Sequence, residues 1–303
     1  MIQPSFPLRG HDTFRVANNE QFIQRTANGL IDMPELPEVE TTRRGIEPHV
    51  LGKTVTDLVV RNPHLRWRVP ARLIKELPGQ TIRSVTRRGK YLLLGGDTGT
   101  AILHLGMSGS LRVVDGTQPA DKYDHVDIVL DSGDRLRLRD PRRFGALLWT
   151  RDNPLCHKLL QGLGPEPLGP DFSGDYLYGK LRGRKRAIRD ALLDSRLVAG
   201  IGNIYANEAL FAAGIRPTRR AGKITRAQCD RLAEAIRATL NRALVAGGTT
   251  LRDFRNGRGE PGYFQLSLNV YGREGEPCRV CRTPIRTRRL GQRTAFFCPK
   301  CQM

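Results

Sequence analysis

Cys278-Arg-Val-Cys281 is followed, after sixteen intervening residues, by Cys298-Pro-Lys-Cys301. Each Cys-x2-Cys turn can aim two thiolates at one ion, and two such turns on facing strands complete a tetrahedron. Four sulfurs leave no open coordination position, so the spacing predicts one structural Zn²⁺ rather than a catalytic one. Two disulfides or free thiols are the alternatives. Seven arginines, at 273, 279, 282, 286, 288, 289 and 293, sit in and around this stretch. A hairpin stiffened by zinc and carrying that charge suits contact with a polyanion; the blander reading is a ribbon that staples the C-terminus. The two remaining cysteines, Cys156 and Cys229, read as buried small hydrophobes.

Upstream of this tail the apolar period is helical. Leu232, Ile236, Leu240 and Leu244 recur every four residues, and Gly247-Gly248 closes the pattern. Shorter helices are expected around 183–194 and 203–213. Gly162-Leu-Gly-Pro-Glu-Pro-Leu-Gly-Pro170 has the composition of a linker. Before it, from about Lys53 to Thr150, the period falls to two. Val126, Ile128 and Leu130 lead through Ser132-Gly133-Asp134 to Leu136 and Leu138, which alternate with Arg135, Arg137 and Arg139. That is a hairpin with one basic face. Tyr91–Leu94 and Ala101–Leu105 read as further strands, and a sandwich or barrel follows. The expected order is β domain, linker, helical domain and metal-binding tail.

The chain has 303 residues, with 50 Lys and Arg against 30 Asp and Glu, a formal charge of +20. Nine of the cations are lysine and the rest arginine. Arginine forks two hydrogen bonds onto a phosphate and stacks on bases, which favours nucleic acid over a membrane surface. No stretch is long and apolar enough for a membrane span. The pattern is not that of a disulfide scaffold and no secretory leader is expected, so a reducing cytoplasm is the expected location. Residues 1–32 stand apart: Arg9, Arg15 and Arg25 balance Asp12, Glu20 and Asp32, and the remainder carries the whole excess.

Local order begins at Met33-Pro34-Glu35-Leu36-Pro37-Glu38-Val39-Glu40, where Pro37 and its acidic neighbours suit the first turn of a helix. Two tight turns follow strands, Gly106-Met107-Ser108-Gly109 and Asp140-Pro141-Arg142-Arg143-Phe144-Gly145. Met107 and Phe144 can be core residues, or wedges between bases with a guanidinium filling the gap. Arg182, Arg184, Lys185, Arg186 and Arg189 form a basic run ahead of Gly200-Ile-Gly202-Asn203-Ile-Tyr205. The amides of that glycine turn open a helix and could bind a phosphate, although such turns are commonly only turns.

Residues 33–303 resemble the bacterial formamidopyrimidine-DNA glycosylase family. The resemblance rests on 33–41, on Arg88-Gly-Lys90-Tyr91, and on His104 through Arg112. It continues through Asp140–Gly145, Gly202-Asn203-Ile-Tyr-Ala206, Pro261-Gly-Tyr-Phe264 and the four cysteines. It implies a two-domain α+β fold: an N-terminal β-sandwich flanked by helices, then a helix-two-turn-helix domain with a four-cysteine zinc finger. The boundaries it suggests are 1–32 as an extension absent from the mature protein, a catalytic domain at 33–161 and a linker at 162–170. A DNA-binding helical domain with a lesion loop would occupy 171–272, and the zinc finger 273–303.

The implied activity is removal of oxidised purines from double-stranded DNA, followed by β,δ-elimination at the abasic site. Pro34 would be the nucleophile, Glu35 the proton donor at the lesion sugar, Lys90 an acid in β-elimination and Arg293 the acid in δ-elimination. Met107, Arg142 and Phe144 would fill the gap left by the flipped nucleotide. Lys185 and Asn203 would hold phosphates, and His125 would either touch DNA or pack. One zinc ion on Cys278, Cys281, Cys298 and Cys301, a monomeric state and a bacterial cytoplasmic location complete the implication.

The amine chemistry stands independently of the resemblance. At pH 7 a lysine amine is free about 0.04% of the time and an α-amine about 14%. A secondary amine also gives a charged iminium directly, an electron sink for expelling phosphates. In the written sequence, however, Pro34 is internal and its nitrogen is a tertiary amide without a usable lone pair. Translation is therefore expected to begin at Met33. If residues 1–32 are retained, the chain reads instead as a non-catalytic lesion-binding zinc protein. A basic RNA-binding or ribosome-associated protein is the third reading, separable by preference for damaged duplex at matched salt.

Overall fold

The computed structural model describes residues 34–247 and 268–303. Its first element is α1 (Leu36–Val50), started by a capping box: Glu35 at the N-cap and Glu38 at N3 serve each other's end of the turn. Eight strands follow in the sandwich: β1 (Val55–Val60), β2 (Ser84–Arg88), β3 (Tyr91–Gly95), β4 (Thr100–His104), β5 (Ser110–Val114), β6 (Asp124–Leu130), β7 (Arg135–Arg139) and β8 (Ala146–Thr150). A short helix, α2 (Ala71–Glu76), interrupts the series. One antiparallel sheet runs β1-β6-β7-β5 and the other β2-β3-β4-β8. Period-two apolar residues from both sheets, among them Leu92, Leu94, Leu103, Val126, Ile128, Leu136 and Leu138, meet in one core.

The hairpin of β6 and β7 has the expected register, with Val126 opposite Leu138 and Ile128 opposite Leu136. Its basic face is paired with acids. Arg137 is fully buried, donates from Nε and Nη2 to the two carboxylate oxygens of Asp127 at 2.8 and 2.9 Å, and reaches the carbonyls of Pro119 and Gln118. Arg61 and Arg135 add to Asp127, and Arg112 and Arg139 to Asp124. Two acids and a covering loop thus turn that face into an internal ionic layer.

Beyond the sandwich lie α3 (Gly174–Leu181), α4 (Ile188–Leu192), α5 (Asn203–Ala212) and α6 (Arg226–Val245). The helix expected over 183–194 is confined to α4, because the cations at 182–186 run through a turn. The element before it, α3, carries no long apolar repeat that would announce it. Thr225 and Gln228 form a capping box on α6, and Gly247 at φ +79° ends it. Leu232, Ile236 and Leu240 are buried as expected, while Leu244 is only half-buried. A two-stranded ribbon, β9 (Arg286–Leu290) with β10 (Arg293–Phe297), completes the described fold. Cys229 is buried, whereas Cys156 is exposed, contrary to expectation.

Helix α1 belongs to both cores. Leu36 packs into the helical core, and Val39, Ile46 and Val50 pack into the sandwich. Among the described residues no helix is long and apolar enough to cross a membrane.

Burial alone would raise the Asp127 carboxyl, but hydrogen bonds and charge from Arg137 and Arg61 hold it down at about 2. That is below the unfolded value of about 3.9. Its contribution to stability is therefore complete above about pH 4 and is lost as the pH falls towards 2. Asp127→Asn is expected to cost about 3–5 kcal/mol at neutral pH by leaving buried guanidinium charge unpaired. It should also flatten the acid limb of the stability curve. Urea titrations between pH 2 and pH 7 measure both effects, and unchanged stability at neutral pH would contradict this role.

Candidate active site

The site is built where the start of α1 meets the start of α5. Leu36 N–H donates to the Gly200 carbonyl at 3.0 Å, which lays the two helix beginnings side by side. Glu35, only 2% exposed, then reaches the first turn of α5. Its Oε2 accepts the Gly202 N–H at 2.6 Å and its Oε1 the Ile204 N–H at 2.9 Å. Neither amide has an acceptor inside the helix, and the positive helix end favours an anion there. The glycine turn thus holds a carboxylate of its own chain in the place suggested for a phosphate. A Cβ on Gly202 would lie 2.3 Å from Glu35 Cδ, so only glycine leaves room. Glu38 supports the same corner: it accepts the Glu35 N–H at 3.0 Å and the Tyr205 hydroxyl at 2.7 Å. Pro34, half-buried, stands immediately before this anchored acid.

Lys90 occupies the two-residue turn between β2 and β3, with Gly89 at φ +59°. The turn is gripped from the linker. Glu166 accepts the Gly89 N–H at 2.6 Å and pairs with Arg87 and Arg88. Burial raises the Glu166 carboxyl, but the charge of Arg87 and these hydrogen bonds outweigh it and lower it. A Cβ on Gly89 would sit 3.6 Å from the Gly200 nitrogen, so the Lys90 turn abuts the glycine loop that receives Glu35. His104 lies nearby, its imidazole driven down to about 4 by burial and by the charges of Lys90 and Arg66. It is neutral at pH 7, and Nδ1 accepts the Gly106 N–H at 2.9 Å.

The two turns carrying Met107 and Phe144 touch. Gly106, at φ +69°, would place a Cβ 2.5 Å from the Gly145 nitrogen, so both turns need a glycine at their crossing. Asp140 fastens the second turn by accepting the Gly145 N–H at 2.6 Å. His125 is buried and its Nε2 lies 2.8 Å from the Asp140 carbonyl, so it supports this turn from beneath. Phe144 is 43% exposed, with the Arg142 guanidinium 5.1 Å from its ring centre. Met107, Arg142 and Phe144 share a cavity of about 740 Å³ with Arg66, Arg143 and Arg293. An exposed aromatic ringed by guanidiniums suits a base stack flanked by phosphates.

Lys185 and Asn203 do not line that cavity. Lys185 is exposed on the turn before α4. Asn203 is 7% exposed and its Nδ2 donates to the Thr294 carbonyl at 3.1 Å. The cysteine sulfurs of Cys278, Cys281, Cys298 and Cys301 all lie within 4.8 Å of one another. Two of their separations are 3.9 Å, between Cys278 and Cys301, and 3.4 Å, between Cys281 and Cys298. A Zn²⁺ tetrahedron with bonds of about 2.3 Å needs sulfurs about 3.8 Å apart. The four residues fit one zinc with no ligand position to spare.

Comparison with known proteins gives the same assignment along the whole described chain. The formamidopyrimidine-DNA glycosylase N-terminal domain matches residues 33–147, and its H2TH domain residues 163–255. A zinc finger found in FPG and IleRS matches 275–302. A formamidopyrimidine-DNA glycosylase of Stutzerimonas stutzeri is 58% identical over 270 residues, which cover 89% of this chain and all of that protein. The chain belongs to the formamidopyrimidine-DNA glycosylase family.

A second family member, from Thioalkalivibrio sulfidiphilus, is 57% identical over the same share of both chains. The crystal structure of MutM (Fpg) from Thermus thermophilus superposes with a TM-score of 0.79 at 42% identity, covering 89% of this chain and 98% of that one. The Lactococcus lactis Fpg in complex with DNA containing an abasic site gives 0.81 at 33% identity, over 89% and 99% of the two chains. The family motif Pro261-Gly-Tyr-Phe264 lies outside the described residues. Of the acids that tie distant segments together, the half-buried Glu166 and the buried Glu208 escaped sequence reasoning. Glu208 accepts the backbone N–H groups of Asn269, Val270 and Tyr271 at 2.9–3.0 Å, which no local pattern signals.

Gly202→Ala is expected to displace the Glu35 carboxylate and lower single-turnover base excision about a hundredfold, the order expected for an ångström-scale misplacement. The melting temperature should fall as well: the φ of Gly202, −126°, suits any residue, but the displaced carboxylate and the two amides lose buried partners. Wild-type excision by this variant would show that Glu35 needs no such seat.

Proposed function

We propose that the chain excises oxidised purines, such as 8-oxoguanine and formamidopyrimidines, from duplex DNA. It then cuts the strand at the abasic site by β,δ-elimination, using Pro34 as nucleophile. The carrying observation is that Pro34 precedes a buried carboxylate locked to the α5 amides, at the seam between sandwich and helical domain. Family membership over the full length of the relatives supports the reaction class, as do the DNA lesions in the neighbouring structures. One such neighbour is a mutant of the Lactococcus lactis FPG in complex with a Fapy-dG containing DNA. It has a TM-score of 0.82 at 33% identity, covering 89% of this chain and all of that one.

The steps follow from the residues. The Pro34 amine attacks the sugar C1′ and loses its proton to the Glu35 carboxylate, while the bond to the damaged base breaks with its electron pair leaving on the base, which takes a proton from water. Glu35 then delivers the proton it received to the ring oxygen, which opens the sugar and leaves an iminium between C1′ and the proline nitrogen. Removal of a C2′ proton then expels the 3′ phosphate, with Lys90 as the acid beside it. Removal of the C4′ proton expels the 5′ phosphate, towards which Arg293 donates. Water releases the fragment and restores the amine. Met107, Arg142 and Phe144 occupy the gap left by the flipped nucleotide, offsetting the few kcal/mol of unstacking. Lys185 and Asn203 hold backbone phosphates, and His125 acts through the Asp140–Gly145 turn. Zinc on the four cysteines is structural; it fixes the ribbon that presents Arg293. The protein works as a monomer on DNA.

This reading requires a free amine on Pro34. The curated relatives are matched over their whole length by 89% of this chain. We assign 33–161 to the catalytic domain, 162–170 to the linker, 171–272 to the helical domain with its lesion loop and 273–303 to the zinc finger. Residues 1–32 are absent from the active form.

Two forms of the protein test the reading, one beginning at Pro34 and one retaining residues 1–32. With an 8-oxoguanine·cytosine duplex and borohydride, the first is expected to give a reduced adduct on Pro34 and a gapped strand. The second should bind the duplex and yield neither. Cleavage at equal rates by both forms would remove Pro34 from the mechanism.

A further inference from the structure

Arg189 has no part in the chemistry above, yet its guanidinium is among the most deeply buried charges of the protein, at 1% exposure. It lies on α4 and reaches across about a hundred residues of sequence to the zinc ribbon. Nη2 donates to the carbonyls of Leu290 and Arg293, at 3.1 and 3.0 Å. Leu290 and Arg293 are the pair that closes the β9–β10 turn, so one nitrogen ties down both ends of it. Nη1 points to Asn203 Oδ1 at 3.4 Å, and Nε lies 3.3 Å from Asp190 Oδ1.

The neighbouring contacts extend this grip along β10. Asn203 donates to the Thr294 carbonyl, and Asn207 Oδ1 accepts the Phe296 N–H at 2.9 Å. Asn207 also donates to the Asn203 carbonyl at 2.7 Å. Arg189, Asn203 and Asn207 therefore form a polar ladder along one strand, and Arg189 is its rung at the turn. The energetics say this rung is specific. Burial opposes the Arg189 charge, Asp190 supports it and the nearby Arg293 charge opposes it further. A buried cation is tolerated where its donors are used; here the carbonyls take those of Nη2 and Asn203 Oδ1 takes one of Nη1, while Nε has no hydrogen-bond partner among the described residues.

The same two guanidiniums repel each other. With its backbone held by Arg189 and the interior already occupied by positive charge, the Arg293 side chain is directed outwards, where it is exposed and lines the cavity of Met107, Arg142 and Phe144. We infer that Arg189 is a positioning residue, which fixes the ribbon turn from the helical domain and aims Arg293 at the departing phosphate of the second elimination. The inference rests on the proposed role of Arg293.

The test uses the zinc-loaded protein in the N-terminal form that cross-links to DNA, with an abasic-site duplex, and separates β-elimination from β,δ-elimination products by their 3′ ends. Arg293→Met and Arg189→Met are compared with the wild type. Both are expected to slow the second elimination at least about tenfold, while borohydride trapping at Pro34 stays within about threefold, because misaiming a group by an ångström selects the step that needs it. Arg189→Lys, which keeps the cation and can reach the carbonyls singly, should restore part of the gapped product and leave the second elimination about two- to threefold slow. A merely structural role would instead lower trapping and both eliminations together. If Arg293→Met shifts the partition and Arg189→Met does not, the inference falls and the role of Arg293 stands. If Arg293→Met leaves the partition unchanged, that role fails and takes the inference with it. Should Arg189→Met not fold, Arg189→Lys carries the test alone, with an expected fall of about two- to threefold in the second step; a wild-type partition would overturn the inference.

Discussion

The carboxylate of Glu35 fills the anion site at the start of α5, and the catalytic end of the molecule is organised around that contact. Helix N-termini attract anions because their first amides lack acceptors and their dipoles add up. Here the anion comes from α1, whose later residues are rooted in the sandwich core and whose Leu36 is rooted in the helical one. One side chain therefore ties the sandwich to the helical core and holds the Pro34 position that precedes it. Gly200 and Gly202 let the backbones approach, Glu38 and Tyr205 close the corner, and Glu166 holds the Lys90 turn against it. The supporting groups are paired, and all but the half-buried Glu166 are buried, which is the kind of packing that holds a side chain to a fraction of an ångström.

The charge of the chain divides by the same logic. A large excess of cations would repel itself in a compact fold, yet much of the arginine is neutralised locally. Arg137 and Arg61 share Asp127, and Arg87 and Arg88 share Glu166. The guanidiniums of Arg66, Arg142, Arg143 and Arg293 gather around a cavity where an exposed phenyl ring also stands. Net charge pointed to a polyanion, and the structure separates arginines that build the protein from arginines that line this cavity.

Much of this was legible in the sequence. Two Cys-x2-Cys pairs define a metal site because thiolate geometry depends on local spacing, and the apolar period revealed the sandwich hairpin and α6. The pairings that run between domains were not legible. Gly200-Ile-Gly202 reads as an anion-binding turn, but nothing local says that the anion is Glu35, 167 residues away from Gly202. Arg137 reads as one of an alternating basic set, and only Asp127 and the tertiary loop over it make it a core residue. Arg189 reads as the last member of a basic run; its partners are carbonyls, which carry no residue identity. Sequence patterns show periodicity and local chelation well, and show backbone acceptors from distant segments hardly at all.

The most direct test of this arrangement is amide hydrogen exchange at Gly202 and Ile204. Both amides precede the first intrahelical acceptor, so in an isolated helix they would exchange freely. Slow exchange is expected in the wild-type protein, with loss of protection at these two positions in Glu35→Ala and sandwich amides such as Ile128 unchanged. Fast exchange in the wild type, or protection that survives the substitution, would contradict a site organised by the Glu35 carboxylate.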